Sequence, residues 1–167
     1  MDQVCPSSPC PVPTNQRPLE EYRQLRASWF FTWPSVAPAG LIRPLAICWL
    51  ISFPLCLLIA SGSWPLRHNI PRLLVAAAVS AVLPAVFLLL RQWLGWNYVH
   101  RRLRSERVEY EESGWYDGQV WEKPLAWRQQ DLLVALHEVR PVLARLELVL
   151  AVATGLILLG TGLCQAL

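Results

Sequence analysis

The chain has 167 residues, 54% of them apolar and 16% charged, with a formal net charge of +3 and a mean hydropathy of +0.31. Its apolar residues gather into long runs instead of the spaced pattern of a soluble fold, which excludes a water-soluble globular protein and points to membrane spans. The length leaves no room for a separate soluble domain of useful size.

Residues 1–27 read as a mostly disordered Pro-rich N-terminal tail, and residues 28–167 as a single three-span membrane domain. The opening stretch MDQVCPSSPCPVPTNQ holds no Lys or Arg and no apolar run. A cleavable signal peptide and an Arg-rich transit peptide are therefore not expected, and the chain is expected to insert through its own first span. Cys5 and Cys10 lie in this tail without a second pair, which falls short of a metal-binding pattern.

Three uncharged stretches predict spans: 44–61 (PLAICWLISFPLCLLIAS), 73–90 (LLVAAAVSAVLPAVFLLL) and 148–164 (LVLAVATGLILLGTGLC). At a helical rise of about 1.5 Å per residue each comes close to the thickness of a hydrocarbon core, roughly 30 Å. Trp29, Phe30, Phe31 and Trp33 precede the first, Trp64 follows it, and Trp93 and Trp96 follow the second, where an interfacial aromatic belt belongs. Lys and Arg number four in residues 1–43 and nine in 91–145, against two in 62–72 and none after the third span. The N-terminus and the 91–145 segment share a side in a three-span chain, and the positive-inside rule makes that side cytoplasmic, or stromal in a thylakoid. The C-terminus then lies opposite.

No Asp, Glu, Lys, Arg or His falls within the three apolar cores. Such groups mark proton relays and ion paths, so a pump or secondary transporter is disfavoured. Haem or chlorophyll held by an intramembrane histidine is unsupported as well, and no cofactor or metal is expected. Small residues recur at helical spacing: Cys48, Ser52, Cys56 and Ala60 on the first span, Ala77, Ala81 and Ala85 on the second, Ala151 and Gly155 on the third. These stripes are candidate helix-packing faces, since small side chains let backbones approach in lipid. Pro54 and Pro84 should kink their spans.

The polar insertion, 97–145, opens with NYVHRRLRSER, whose arginines are read as contacts to membrane lipid headgroups and not to nucleic acid. Val108, Tyr110 and Glu112 then alternate with Glu109 and Glu111, and Asp117-Gly118, flanked by aromatic and β-branched residues, predicts a two-residue hairpin turn. Ser113-Gly114 suggests a bulge ahead of it, and Lys123-Pro124 ends the second strand. Leu125 to Arg140 predicts an amphipathic helix with Leu132, Leu133, Leu136 and Val139 as its apolar face, ended or kinked by Pro141. The insertion contains no HExxH, no Gly-rich phosphate loop, no GxSxG and no Glu-x-x-His repeat. Its carboxylates read as solvated strand residues.

The strings VPTNQRPLEEY (12–22), SWFFTWP (28–34) and RLRSERVEYEESGWYDGQVWEKP (102–124) resemble the small membrane proteins conserved in cyanobacteria, green plastids and diatoms, some of them hypothetical chloroplast reading frames. The similarity runs from about Val12 into the third span. The resemblance implies a photosynthetic membrane and, loosely, acclimation to iron shortage or photo-oxidative stress, with no established catalytic residues.

The expected fold is thus an all-α membrane protein, three transmembrane helices with a β-hairpin and an amphipathic helix between spans two and three. The expected role is a non-enzymatic auxiliary, assembly or acclimation factor for a membrane-protein complex. Tyr110, Glu111, Glu112, Trp115, Tyr116, Asp117, Gly118 and Trp121 are its candidate docking residues. The alternative is a membrane enzyme acting on a quinone, carotenoid or tetrapyrrole at the interface, with His100, Glu109, Asp117 and His137 as candidate groups.

Overall fold

The computed structural model of the chain describes residues 12–36, 40–111 and 118–166. In chain order these form a 3-10 turn at Thr14–Gln16, helices α1 (Pro18–Ala27), α2 (Trp29–Val36), α3 (Ile42–Ser61), α4 (Trp64–Arg67), α5 (Ile70–Ser80) and α6 (Val82–Arg104), and strands β1 (Arg107–Glu111) and β2 (Gly118–Glu122). Helices α7 (Leu125–Val134) and α8 (Arg140–Ala166) follow, joined by a wide π turn at Ala135–Val139. Among the described residues three helical stretches, Ile42–Ser61, Ile70–Arg104 and Leu125–Ala166, are long and apolar enough to cross a membrane. The antiparallel hairpin β1–β2 lies between the second and third of them. The chain divides into two compact units: a polar one of Met1–Thr32 with Leu94–Leu143, and an apolar one of Trp33–Trp93 with Ala144–Leu167.

In the apolar unit the two mid-span prolines behave differently. Pro54 sits inside an unbroken α3. Pro84 coincides with a break, since α5 ends at Ser80 and α6 starts at Val82. Pro84 has no N–H for the Ser80 carbonyl, and its ring crowds that oxygen. Ala77, Ala81 and Ala85 are buried. Trp49 of α3 donates its indole N–H to the Ala78 carbonyl at 3.2 Å and stacks on Phe53, ring centroids 5.2 Å apart. Cys48, Ser52, Cys56 and Ala60 are half-buried. On α8 the close approach is at Gly160, where an added methyl would overlap Val79 of α5, whereas Gly155 faces open space and Ala151 is exposed. No residue of α3 is buried, and Leu50, Ile51, Leu55, Leu58 and Ile59 are all exposed. An apolar helix face left uncovered among the described residues requires lipid or another protein against it.

The polar unit recruits part of the stretch read as tail. Pro18–Ala27 is helical: Pro18 occupies the first turn with its φ already set, and Glu20 and Glu21 sit there facing the positive helix end. Its Leu19 and Tyr22 are buried, and Val12 joins Val108 and Tyr110 in a small core against which Trp121 packs. In the described part of that stretch, 12–27, the few apolar residues find their partners in distant segments.

Two further expectations change. Gly118 is not a turn residue: it pairs with Glu111, and the register runs on through Tyr110↔Gln119 and Val108↔Trp121 to Arg107↔Glu122. That register sets Val108 directly opposite Trp121, with Tyr110 on the same face, over Val12; a turn centred on Asp117-Gly118 would pair Trp121 with a position six residues beyond Val108 instead. Asp117 and the Ser113-Gly114 bulge lie outside the described residues. The buried face of α7 and the π turn is Trp127, Asp131, Ala135 and Val139, while Leu132, Leu133 and Leu136 are exposed. The large Trp127 ring and a buried partner for Asp131 outweigh the leucines. Pro141 does not end the helix. Its ring would crowd the His137 carbonyl in a regular α-helix, and the wider turn just before it makes room.

Candidate functional site

The hairpin is mounted on the polar unit by Lys123, the residue after β2. Its ammonium is fully buried with Asp131 and donates to Asp131 Oδ2 at 2.7 Å and to the carbonyls of Arg102 and Leu103 at 2.9 and 3.2 Å. All three N–H donors are thereby used. The two carbonyls belong to the last turn of α6, where helical partners run out and the dipole favours a cation. Burial pushes the Lys123 pKa below its usual 10.5, and the Asp131 carboxylate pulls it back up. The Lys123 N–H also bonds the Glu106 carbonyl at 3.0 Å, and Arg128 holds the Lys123 carbonyl at 2.8 Å and Glu122 at 2.7 Å.

Arg102 makes the second anchor. Its guanidinium donates to Glu21 Oε1 at 2.6 Å, the Tyr98 hydroxyl at 2.8 Å, the Gln16 carbonyl at 3.2 Å and the Glu109 carbonyl at 3.1 Å. One planar fork thus joins the N-terminal segment, α6 and β1, a task that suits Arg and not Lys. Burial raises the Glu21 carboxyl above its ordinary value, against the pull of Arg102. A third cluster ties α1 to the π turn. The Tyr22 hydroxyl donates to Glu138, and Arg26 reaches the same Glu138 oxygen at 2.8 Å and the Tyr22 hydroxyl at 3.0 Å. Burial first and the neighbouring carboxylate second push Tyr22 up to about 12, so it stays a neutral donor at ordinary pH.

Of the docking residues read from the sequence, Tyr110 is buried, with its hydroxyl on Gln119 Oε1 at 2.8 Å. Trp121 lies edge-on to Trp127, centroids 5.3 Å apart. Gly118 faces open space. Glu112, Trp115, Tyr116, Asp117 and the Glu111 side chain lie outside the described residues. Of the groups named for catalysis, His100 is buried and Glu109 and His137 are exposed. Among the described residues no three His, Cys, Asp or Glu side chains are grouped to hold a metal. A polar cleft of about 960 Å³ borders the outer face of the hairpin, lined by Tyr98, Arg101 and Arg102 of α6 and by Arg107, Glu109 and Val120.

Sequence reading missed Lys123, Asp131, Arg102, Tyr22 and Glu138 as interacting groups. Asp131 alone left a trace, one helical turn after Trp127 on the same face. The other pairs join residues 81 and 116 positions apart.

A family model described as CGLD27-like, Conserved in the green lineage and diatoms 27, matches residues 10–152. The chain belongs to the CGLD27-like family. The CGLD27-like match takes in every anchor just described and ends within α8. Relatives include uncharacterized protein ycf36 of Cyanophora paradoxa, 40% identical over 143 residues (86% of this chain, 90% of the relative). The ycf36 protein of Porphyra purpurea is 38% identical over 143 residues (83% and 84%). The protein Conserved in the green lineage and diatoms 27, chloroplastic, of Arabidopsis thaliana is 36% identical over 154 residues, 92% of this chain and 47% of that protein. The chain thus spans about half of the Arabidopsis relative. No solved structure matches. This CGLD27-like chain is one of a family of uncharacterised proteins with chloroplast and plastid members.

Proposed function

We propose that the chain is an integral protein of a plastid, thylakoid or cyanobacterial membrane that serves, without catalysing a reaction, as an auxiliary or assembly factor for a membrane-protein complex. The N-terminus and the 91–145 segment face the cytoplasm or stroma, by the distribution of Lys and Arg. The single observation that carries the reading is the mounting of the hairpin. Lys123 and Arg102 fix it by bonds to α6 and α7, the Lys123–Asp131 bond fully buried, and its outer face, with Arg107, Glu109 and Val120, stays exposed. A lone two-stranded hairpin is marginal in water; one braced from behind is a preformed surface for a partner. The uncovered apolar face of α3 supports a membrane-protein partner alongside lipid.

Affinity purification of the tagged chain from its native membranes in a mild detergent tests this. The expected outcome is a defined complex with at least one other membrane protein in fixed ratio. A monodisperse chain free of other proteins would overturn it.

A further inference from the structure

The cleft beside the hairpin has walls of opposite stiffness to a surface loop: one is the last turns of α6, the other is β1. Both are fixed by the Arg102 and Lys123 bonds. Arg102 is committed to Glu21, Tyr98 and two carbonyls. The Arg101 and Arg107 side chains, in contrast, are exposed and make no hydrogen bond or ion pair among the described residues. Among the described lining residues Glu109 is the carboxylate, so the cleft holds three guanidinium groups against it, with Arg102 already matched by Glu21. Two carbonyls at the negative end of α6 are taken by Lys123 and add no competing charge.

Position narrows the ligand. Leu94, 55% exposed, is apolar; Tyr98, one turn on, is 48% exposed and lines the cleft. Arg101 follows Leu94 by seven residues, about 10 Å along the helix. The headgroup layer begins where the hydrocarbon core stops and extends roughly 5–8 Å beyond it on each side, within reach of an arginine side chain from there. The volume, about 960 Å³, is larger than a bare anion needs and takes the group together with its glycerol or sugar.

We propose that this cleft binds a single phosphate or sulfonate group, carried on a lipid headgroup or on a soluble ester. The assignment stands apart from the docking role, since a chain purified without protein partners would still bind the anion.

Native mass spectrometry of the full chain in a neutral detergent tests it, with phosphatidylglycerol, phosphatidylcholine and inorganic phosphate as probes. Phosphatidylglycerol is expected to be retained over phosphatidylcholine. The double variant Arg101→Gln, Arg107→Gln should weaken that retention on the order of tenfold. Neither substitution removes a bond among the described residues, so the fold is expected to persist. Arg104→Gln, exposed but outside the cleft, should bind as the parent does. Retention of phosphate, sensitive to the double variant, without retention of phosphatidylglycerol would place the group on a soluble ester. No preference for either anionic probe, an unchanged double variant, or an equal loss in Arg104→Gln would each overturn the proposal.

Discussion

Removing the Lys123 ammonium would take the paired cation from the buried Asp131 carboxylate and the donors from two α6 carbonyls. Breaking one side of a buried ion pair costs about 3–5 kcal/mol, because the other charge stays behind. Lys123→Met is therefore expected to lose that much stability in denaturant unfolding of the solubilised protein followed by tryptophan fluorescence. Arg104→Ala, at an exposed position, should stay within about 0.5 kcal/mol. Equal small losses in both would show that Lys123 does not hold the hairpin. Nothing in the string WEKP distinguishes Lys123 from a solvated lysine. Its burial follows from three acceptors that arrive from two other elements, and that convergence is a property of the fold. The same holds for Arg102, one arginine among several in NYVHRRLRSER, singled out by Glu21 and Gln16 from the N-terminal segment.

At the scale of elements, the spans were legible because membranes impose length and apolarity on contiguous sequence. Each of the expected stretches lies within an observed helical stretch. Packing details were less legible. Both Ala151 with Gly155 and the Gly160 position carry small residues, yet only Gly160 has a neighbour pressed against it, the β-branched Val79. Gly160→Ala should cost about 1–3 kcal/mol through overpacking. Gly155→Ala, with open space around it, should be neutral or gain up to about 1 kcal/mol of helix propensity. Thermal unfolding in detergent reads the difference, and identical behaviour of the two variants would contradict the placement of α8 against α5. For the hairpin, the alternation of Val108 and Tyr110 with charged residues announced β1, while the turn did not follow the local Asp-Gly signal. The register sets Val108 directly opposite Trp121 beside Val12, a long-range contact that outweighs a dipeptide preference.

At the scale of the molecule, the tail and membrane domain read from composition become two units, with the segment from Val12 to Thr32 built into the polar one. The resemblance carried by VPTNQRPLEEY and by the hairpin string pointed to this polar unit, and the family match covers it. Among the residues read as docking candidates, Tyr110 and Trp121 instead face inward as a structural brace, and Lys123 closes the base of the hairpin. The proposed docking surface is the outer face of β1 and β2. A photo-crosslinking amino acid at Val120, exposed on that face, tests this most directly when activated in native membranes. The account predicts one discrete adduct with another protein, absent when the photoreactive group is placed at the buried Val108. Illumination that yields no protein adduct at Val120 would contradict the claim that the hairpin is a docking surface.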